Sequence, residues 1–466
     1  MGRGRGYSRD RCRCNLIRAV QTLMQQTPSS WGRYPESKAA RIIDPAWISD
    51  VPRNGQSPML AYGLGRSYGD VCLNDGGTVV RMHRCDRILH FDPEVGIVRA
   101  EAGLSVADLL RICVPHGWFI PVTPGTRYVT LGGAVANDVH GKNHHRVGTI
   151  GRHVRSLGLV RSDGTSMRCS PTENSELFAA TIAGMGLTGF ITWVELSLLP
   201  IASRRIEQES IKARSLSELI RLTDESDAEW DYTVSWIDVM SRGRSLGRGH
   251  VLRGKFNDQT DGTLDRGWKG PLFTVPFEAP SWLLSGTTMS LFNTVLYHRQ
   301  VGRLRRTMLD VEPFFYPLDG VGRWNLLYGR RGMLQYQCVV PVDDGEHVMR
   351  SILGLMQRGG VSSFLAVLKK FGSLESPGMM SFPRPGLTLT LDMPISGRSM
   401  FDALDQCDEL VHSVGGRVYA AKDSRVRGEM FRAMYSSEID RFLPWIDHGM
   451  SSSFWRRVMN EKVENQ

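Results

Sequence analysis

Three stretches of the chain bring together residues whose types and spacing suit chemistry. The densest, residues 121–145, reads Pro-Val-Thr-Pro-Gly-Thr-Arg-Tyr-Val-Thr-Leu-Gly-Gly-Ala-Val-Ala-Asn-Asp-Val-His-Gly-Lys-Asn-His-His. Pro124 and Gly125 mark a turn. Gly132 and Gly133 open a run of small residues, 134–136, that reads as the first turn of a tightly packed helix. Bare amides without side chains let a backbone approach a phosphate or a flat ring. His140, Lys142, His144 and His145 follow at once, a dense group of titratable and cationic side chains. A glycine cradle followed by acid–base residues is the pattern of a cofactor site touching a reaction site, although each feature alone is common in helix starts and cores.

The second stretch, residues 61–70, reads Ala-Tyr-Gly-Leu-Gly-Arg-Ser-Tyr-Gly-Asp. Its glycines at 63, 65 and 69 form a loop whose amides can converge on a pyrophosphate. The strand, Gly-x-Gly-x-x-Gly and helix spacing of a dinucleotide fold is missing, so NAD is not indicated. The third stretch, residues 415–425, carries Lys422 to the end of a short apolar strand. A surface ion pair with Asp423 is the simpler alternative there, and such pairs are worth little. Gln335-Tyr336-Gln337 puts two amides on one face of a strand, which suits sugar hydroxyls or plain solvent equally.

These residues need elements to hold them. At 466 residues the chain is long enough for two domains with sizeable cores. Its 41% hydrophobic and 23% charged content is that of a soluble globular protein. A formal net charge of +9 points to an anionic partner, either a phosphate-bearing substrate or an anionic membrane surface. No nucleic-acid module accompanies it, so no nucleic acid is expected. The eight cysteines lack Cys-x-x-Cys or metal spacing, which points to reduced thiols of a cytosolic enzyme and to no metal.

Pattern predicts strands at 78–82 and 97–102, then a helix at 106–113 behind Ser105. A hairpin is expected about Asp163-Gly164, between 157–162 and 167–169. A helix at 176–182 and a strand at 190–198 complete the first region, and Pro200 closes it. From about Ile201 longer strand-like and helical segments follow at 232–237, 334–340, 347–356, 364–371 and 387–392. The basic N-terminus, helical in character at 13–26, lacks the apolar stretch of a signal peptide. Residues 279–297 carry no formal charge, but Pro280 and Gly286 argue against a membrane-spanning helix. A buried helix and an apolar lid near a lipid substrate both remain open for them.

Gly-Gly-Ala…Asp-Val-His-Gly-Lys-Asn-His-His closely resembles the flavin-binding segment of the vanillyl-alcohol-oxidase-type (PCMH-type) FAD oxidases. Within that superfamily it resembles the decaprenylphosphoryl-β-D-ribose 2′-oxidase group. Gly-Leu-Gly-Arg-Ser-Tyr-Gly-Asp is similar to the pyrophosphate loop of the same group. Tyr316-Pro-Leu-Asp319, Trp324-Asn325 and Leu334-Gln-Tyr-Gln337 stand as they do there, and the resemblance runs roughly from Ile48 to Arg425. It implies an α+β fold: a tail at 1–30, a two-part PCMH-type FAD-binding domain at 31–200, an antiparallel-sheet substrate or cap domain at 201–410, and a return segment at 411–466.

The resemblance also implies roles. FAD would be held by Ala61, Gly63, Leu64, Gly65, Arg66, Ser67, Tyr68 and Gly69, and by Gly125, Thr130, Leu131, Gly132 and Gly133. Asn137, Asp138, Val139, His140, Ile191 and Tyr419 complete that set. Tethered relatives have a His where this chain has Arg66, so the FAD is expected to be noncovalent. Lys422 and His140 are the acid–base candidates. Tyr68, Lys142, Tyr316, Gln335, Gln337, Lys369, Thr388 and Thr390 would face the substrate. In one respect the chain departs from the family. Members sensitive to nitroaromatic inhibitors carry Asn-x-Cys in the strand facing the flavin, and here that run is Thr388-Leu389-Thr390.

The expected activity is oxidation of the 2′-hydroxyl of a polyprenyl-phosphoryl pentofuranose to a ketone, with hydride passing to the flavin. A separate short-chain dehydrogenase/reductase would complete a ribose-to-arabinose epimerisation. An aldonolactone or alditol oxidase is a second reading, and a basic, non-enzymatic binding protein with structural glycines is a third. The expected location is cytoplasmic or peripherally membrane-associated, with the periplasmic face left open.

Overall fold

The computed structural model describes residues 27–53 and 58–460. The helical character expected at 13–26 lies outside the described residues. In the first half, three short strands pair in parallel: β1 (Arg41–Ile43), β2 (Met59–Tyr62) and β3 (Thr78–Arg81), in the order β1-β3-β2. All four residues of central β3 are buried, as a strand covered on both faces requires. A second, antiparallel sheet follows. It contains β4 (Ile88–Asp92), β5 (Ile97–Glu101), β6 (Val154–Val160), β7 (Ser166–Cys169) and β8 (Phe190–Ser197), in the order β4-β5-β8-β6-β7.

The β6–β7 hairpin turns at Asp163 and Gly164, where Asp163 Oδ1 accepts the Thr165 amide at 2.8 Å. β6 stops at Val160, short of the expected 162, because the next residues are drawn to the C-terminal segment. Arg161 donates to the Trp445 carbonyl at 2.9 Å, and the Ser162 amide to Asp447 at 2.6 Å. α1 (Val106–Cys113) starts where Ser105 Oγ accepts the Asp108 amide at 3.1 Å and buries Val106, Leu109, Leu110 and Cys113. α2 (Leu131–Ala136) is capped likewise, with Thr130 Oγ1 accepting the Gly133 amide at 3.2 Å.

The second half builds one eight-stranded antiparallel sheet. Its strands are β9 (Arg205–Ala213), β10 (Tyr232–Ile237), β11 (Gly249–Phe256), β12 (Leu304–Asp310), β13 (Met333–Val340), β14 (Leu365–Phe371), β15 (Gly386–Pro394) and β16 (Arg417–Val418). They lie in the order β12-β9-β11-β10-β14-β15-β13-β16. Helices α3 (Leu216–Asp227), α4 (Gly286–His298), α5 (Val342–Arg358) and α6 (Arg398–Ser413) accompany it. The two-residue alternation of a strand sorts its side chains. Leu334, Tyr336, Cys338 and Val340 join a core with α3, α5 and α6, while Gln335 and Gln337 point the other way, into a cleft. The fold is α+β.

Two helices differ from their sequence pattern. α5 begins at Val342 rather than 347, because Asp343 and Asp344 favour its positive N-terminal end although they break the apolar period. α4 is neither wholly buried nor free. Met289, Asn293 and Tyr297 form a buried stripe, while Leu291, Phe292 and Val295 are 66%, 50% and 61% exposed. Among the described residues no helix is long and apolar enough to cross a membrane.

The chain ends by returning to its start. α7 (Ser453–Met459) directs Arg457 at two buried carboxylates. The guanidinium reaches Asp70 at 2.8 and 2.9 Å and Asp423 at 2.8 Å. One side chain thus joins the 61–70 loop to the segment carrying Lys422. Arg457→Met should strand both carboxylates and destabilise the protein by about 3–5 kcal/mol. Urea denaturation of the variant against wild type measures this, and a loss below about 1 kcal/mol would show that the bridge is not a tie.

Candidate active site

A cleft of about 990 Å³ lies between the first half's glycine loops and one face of the large sheet. Such a volume is at the upper end for ligand sites and suits a large cofactor together with part of a substrate. Ala61, Gly63, Leu64, Gly65, Arg66, Ser67 and Tyr68 line one wall. Gly65 is at φ +61°, where only glycine is relaxed, and an added Cβ would fall 2.1 Å from the Tyr62 hydroxyl oxygen. Gly125, Thr130, Gly132, Gly133, Asn137, Val139 and Ile191 line the next wall. A Cβ on Gly125 would meet nothing within 4 Å, so the bare backbone faces open cleft.

Polar atoms on these walls lack partners among the described residues. Arg66 Nε, Asn137 Oδ1 and Gln335 Oε1 are buried without a hydrogen bond, and such atoms are expensive unless a ligand meets them. The Arg66 guanidinium lies 4.1 Å over the Trp31 ring, and burial lowers its pKa. Tyr419 donates its hydroxyl to the Asn137 carbonyl at 2.7 Å and stacks on Phe382 at 4.7 Å, giving the cleft a flat aromatic edge.

Some expected contacts stand behind the wall. Leu131 is core. Asp138 is fully buried and accepts from the hydroxyls of Ser376 and Ser381 and from the Gly151 amide at 3.0 Å. It secures the 138–151 turn to the 376–381 segment. Gly69 packs so close to the Asp423 carbonyl that a Cβ would lie 1.7 Å from it. Tyr316 also faces away, its hydroxyl 2.8 Å from Thr123 Oγ1, so it props the turn before Gly125.

The other end of the cleft collects amines. Lys142, Lys369 and Lys422 all line it. Burial depresses the Lys142 pKa to about 7. Burial does the same to Lys369, also to about 7, helped by repulsion from Lys142 and Lys422. The Lys142 ammonium donates to the Phe314 carbonyl and stands 4.5 Å from that ring's centroid. His140 is engaged at both ring nitrogens, 3.0 Å from Gln337 Nε2 and 3.1 Å from Lys369 Nζ. Burial first, and Lys369 second, push its pKa well down, so it is neutral. Gln337 also donates to Thr388 Oγ1 at 3.3 Å. Thr388 is thereby a support beneath the lining, whereas Thr390 is part of the lining itself.

Lys422 lies 4.1 Å over the Tyr68 ring. Beside it is a residue that motif reading missed, Asp392. Its carboxylate is wholly buried, takes the Gln335 amide and lies 3.4 Å from the Tyr68 hydroxyl that donates to it. Burial raises the Asp392 pKa; burial lowers that of Lys422, and the Asp392 charge opposes that fall. A signal was present: Asp392 follows Thr390 by two in an apolar strand, on the same face. Chemically, an amine whose proton affinity burial has lowered, an adjacent carboxyl group and paired amides can take a proton from a carbinol and orient its neighbours. Among the described residues no group of His, Cys, Asp and Glu is placed to hold a metal ion.

Comparison with known proteins agrees with this geometry. The family described as FAD binding domain matches residues 48–170. The decaprenylphosphoryl-β-D-ribose oxidase of Mycolicibacterium smegmatis is 37% identical over 87% of this chain and 90% of its own length. An uncharacterized protein of Streptomyces coelicolor is 34% identical over 71% of this chain and 92% of its own. Mouse L-gulonolactone oxidase is 31% identical over 32% of this chain and 34% of its own. The chain is an FAD-dependent oxidoreductase, and the unpaired polar atoms and the open face at Gly125 fit that cofactor.

With Arg66 stacked on Trp31 in place of a tethering His, the FAD should be held without a covalent bond. Acid precipitation of the purified protein should carry the yellow colour into the supernatant. Flavin remaining in the washed pellet would overturn this.

Proposed function

The chain belongs to the decaprenylphosphoryl-β-D-ribose oxidase family, and from that premise we propose that it oxidises the 2′-hydroxyl of a polyprenyl-phosphoryl-β-D-ribose to the 2′-ketone. The observation that carries the substrate assignment is the set of buried amines beside the glutamine pair. Burial depresses Lys142 and Lys369 and no carboxylate among the described residues compensates, so each gains most from an anionic ligand. A substrate phosphate is such a ligand. Gln335 and Gln337 project from the same strand face toward the sugar's hydroxyls.

FAD, when bound, supplies the two-electron acceptor. The rest of the chemistry falls to side chains of the chain. Lys422 takes the hydroxyl proton, because its desolvated amine is partly neutral near physiological pH. Tyr68 and Gln335 hold Asp392, whose charge sets how readily Lys422 keeps its proton. His140, neutral and engaged at both nitrogens, positions Lys369 and Gln337 rather than serving as the base.

An aldonolactone oxidase is the weaker reading. The L-gulonolactone oxidase likeness covers only a third of this chain, and a soluble lactone leaves two buried lysines without an anion. The ketone product needs a reductase to become the arabinose epimer, and a short-chain dehydrogenase/reductase is our proposed partner. The lipid substrate favours peripheral attachment to a membrane.

Turnover of polyprenyl-phosphoryl ribose against soluble aldonolactones tests the assignment, and preference for the lactones would sink it. Lys422→Met should fold and bind FAD yet lose flavin reduction by about two to four powers of ten. Anaerobic mixing with substrate isolates that step, and bleaching at the wild-type rate would remove Lys422 from the chemistry. Asp392→Asn removes the charge that raises the Lys422 pKa, so the amine becomes neutral at lower pH. The rising limb of the reduction rate against pH should therefore move to lower pH. A limb that stays or moves to higher pH would refute the coupling.

A further inference from the structure

The cleft does not end at the amines. Thr390, Val367, Trp236 and His250 are register partners across β15, β14, β10 and β11, and all four line it. Leu252, Ser210 and Arg305 are register partners across β11, β9 and β12 and line it as well. Partners in antiparallel register share a face. The lining is therefore a trough running across seven strands, from Gln335 and Gln337 on β13 to Arg305 and Thr307 on edge strand β12. At about 4.8 Å between strands it is roughly 29 Å long.

Its character changes along the way. The first end is polar, with Gln337, Thr390 and Lys369. The middle is apolar, with Val367, Leu365, Val234, Trp236 and Leu252, and the Trp236 indole is fixed by donating to the Phe364 carbonyl at 3.1 Å. α4 roofs this middle with Phe292 and Leu296. The roof is pinned by Asn293, which donates to Asp238 at 3.1 Å and to the Ser363 carbonyl at 3.0 Å. At the far end Arg299 and Arg305 line the opening, and Leu291, Val295 and Val301 stand 66%, 61% and 96% exposed on and just after α4.

We propose that this trough holds the first isoprene units of the substrate's lipid and releases the remainder over β12 toward a bilayer. The proposal rests on the functional reading above, and it adds the route of the tail. The order of surfaces matches the order of groups in such a molecule: sugar against the glutamines, phosphate against the lysines, hydrocarbon against Val367, Trp236 and Leu252. A long polyprenyl chain outruns 29 Å, so its distal units must leave the protein. They leave where exposed apolar side chains stand beside two arginines, a surface that suits an acyl layer with anionic headgroups.

The test uses the FAD-loaded enzyme with decaprenyl-phosphoryl ribose and its one-isoprene (dimethylallyl) analogue. Leu252 lies two strand spacings, roughly 10 Å, from Lys369 on β14, beyond the reach of a single isoprene unit. Leu252→Trp narrows the trough, and Leu252→Asn makes it polar with little change in shape. Each should lower the ratio of kcat/KM for the decaprenyl substrate to that for the dimethylallyl substrate at least tenfold, mostly through KM. An unchanged ratio in the Asn variant, whether both substrates suffer equally or neither suffers, would overturn the trough while leaving the oxidase assignment standing. Wild-type enzyme whose flavin neither substrate reduces would instead overturn the assignment itself.

Discussion

Three amines buried in one cleft are the constraint around which this molecule is arranged. An ammonium removed from water loses its hydration, and among the described residues Lys142 and Lys369 meet no carboxylate that restores it. The structure tolerates this because each amine has a local neighbour of another kind. Lys142 donates to a carbonyl and faces a ring, Lys369 meets a neutral imidazole, and Lys422 shares its field with Asp392. The depressed proton affinity that results is also what makes the site useful. A lysine in water is protonated at neutral pH and can abstract nothing, whereas a desolvated one can.

Holding such a site closed takes ties that are remote in sequence. Tyr68 and Lys422 sit face to face because the Tyr68 amide donates to the Ala421 carbonyl at 3.1 Å and Gly69 admits the Asp423 carbonyl at close range. Arg457 then binds an acidic residue close behind each of them, Asp70 two positions after Tyr68 and Asp423 directly after Lys422. The C-terminal helix is thus part of the frame of the reaction site although none of its residues lines the cleft. Asp138 plays a similar part for the turn that carries His140 and Lys142, joining it to residues 376–381.

Local elements were legible where local physics decides them. Ser105 with the apolar residues behind it announces α1, Asp163-Gly164 announces the β6–β7 hairpin, and Tyr232–Ile237 was readable from its β-branched and aromatic content. α5 was read short because charge stabilises its first turn and charge carries no apolar period. The segment 279–297 was ambiguous for a similar reason. Its composition is uncharged on every side, and only docking on the sheet distinguishes the Met289–Asn293–Tyr297 stripe from the exposed remainder.

The sequence by itself determined the chemistry available: glycine loops that admit a flat cofactor and its phosphates, an arginine where a tether would be, paired glutamines, and a lysine at a strand end. Those properties belong to residue types and short spacings, and they survive any uncertainty about pairing. Only the tertiary structure decided which of these residues meet. It sent Tyr316, Asp138 and Gly69 behind the wall, brought Asp392 beside Lys422, and lined side chains from seven strands into one trough. The physical reason is that strand order and register are set by long-range packing. β15 lies between β14 and β13 although β13 precedes both in the chain and a helix separates it from β14, and no local pattern encodes which face of which strand will share a cleft.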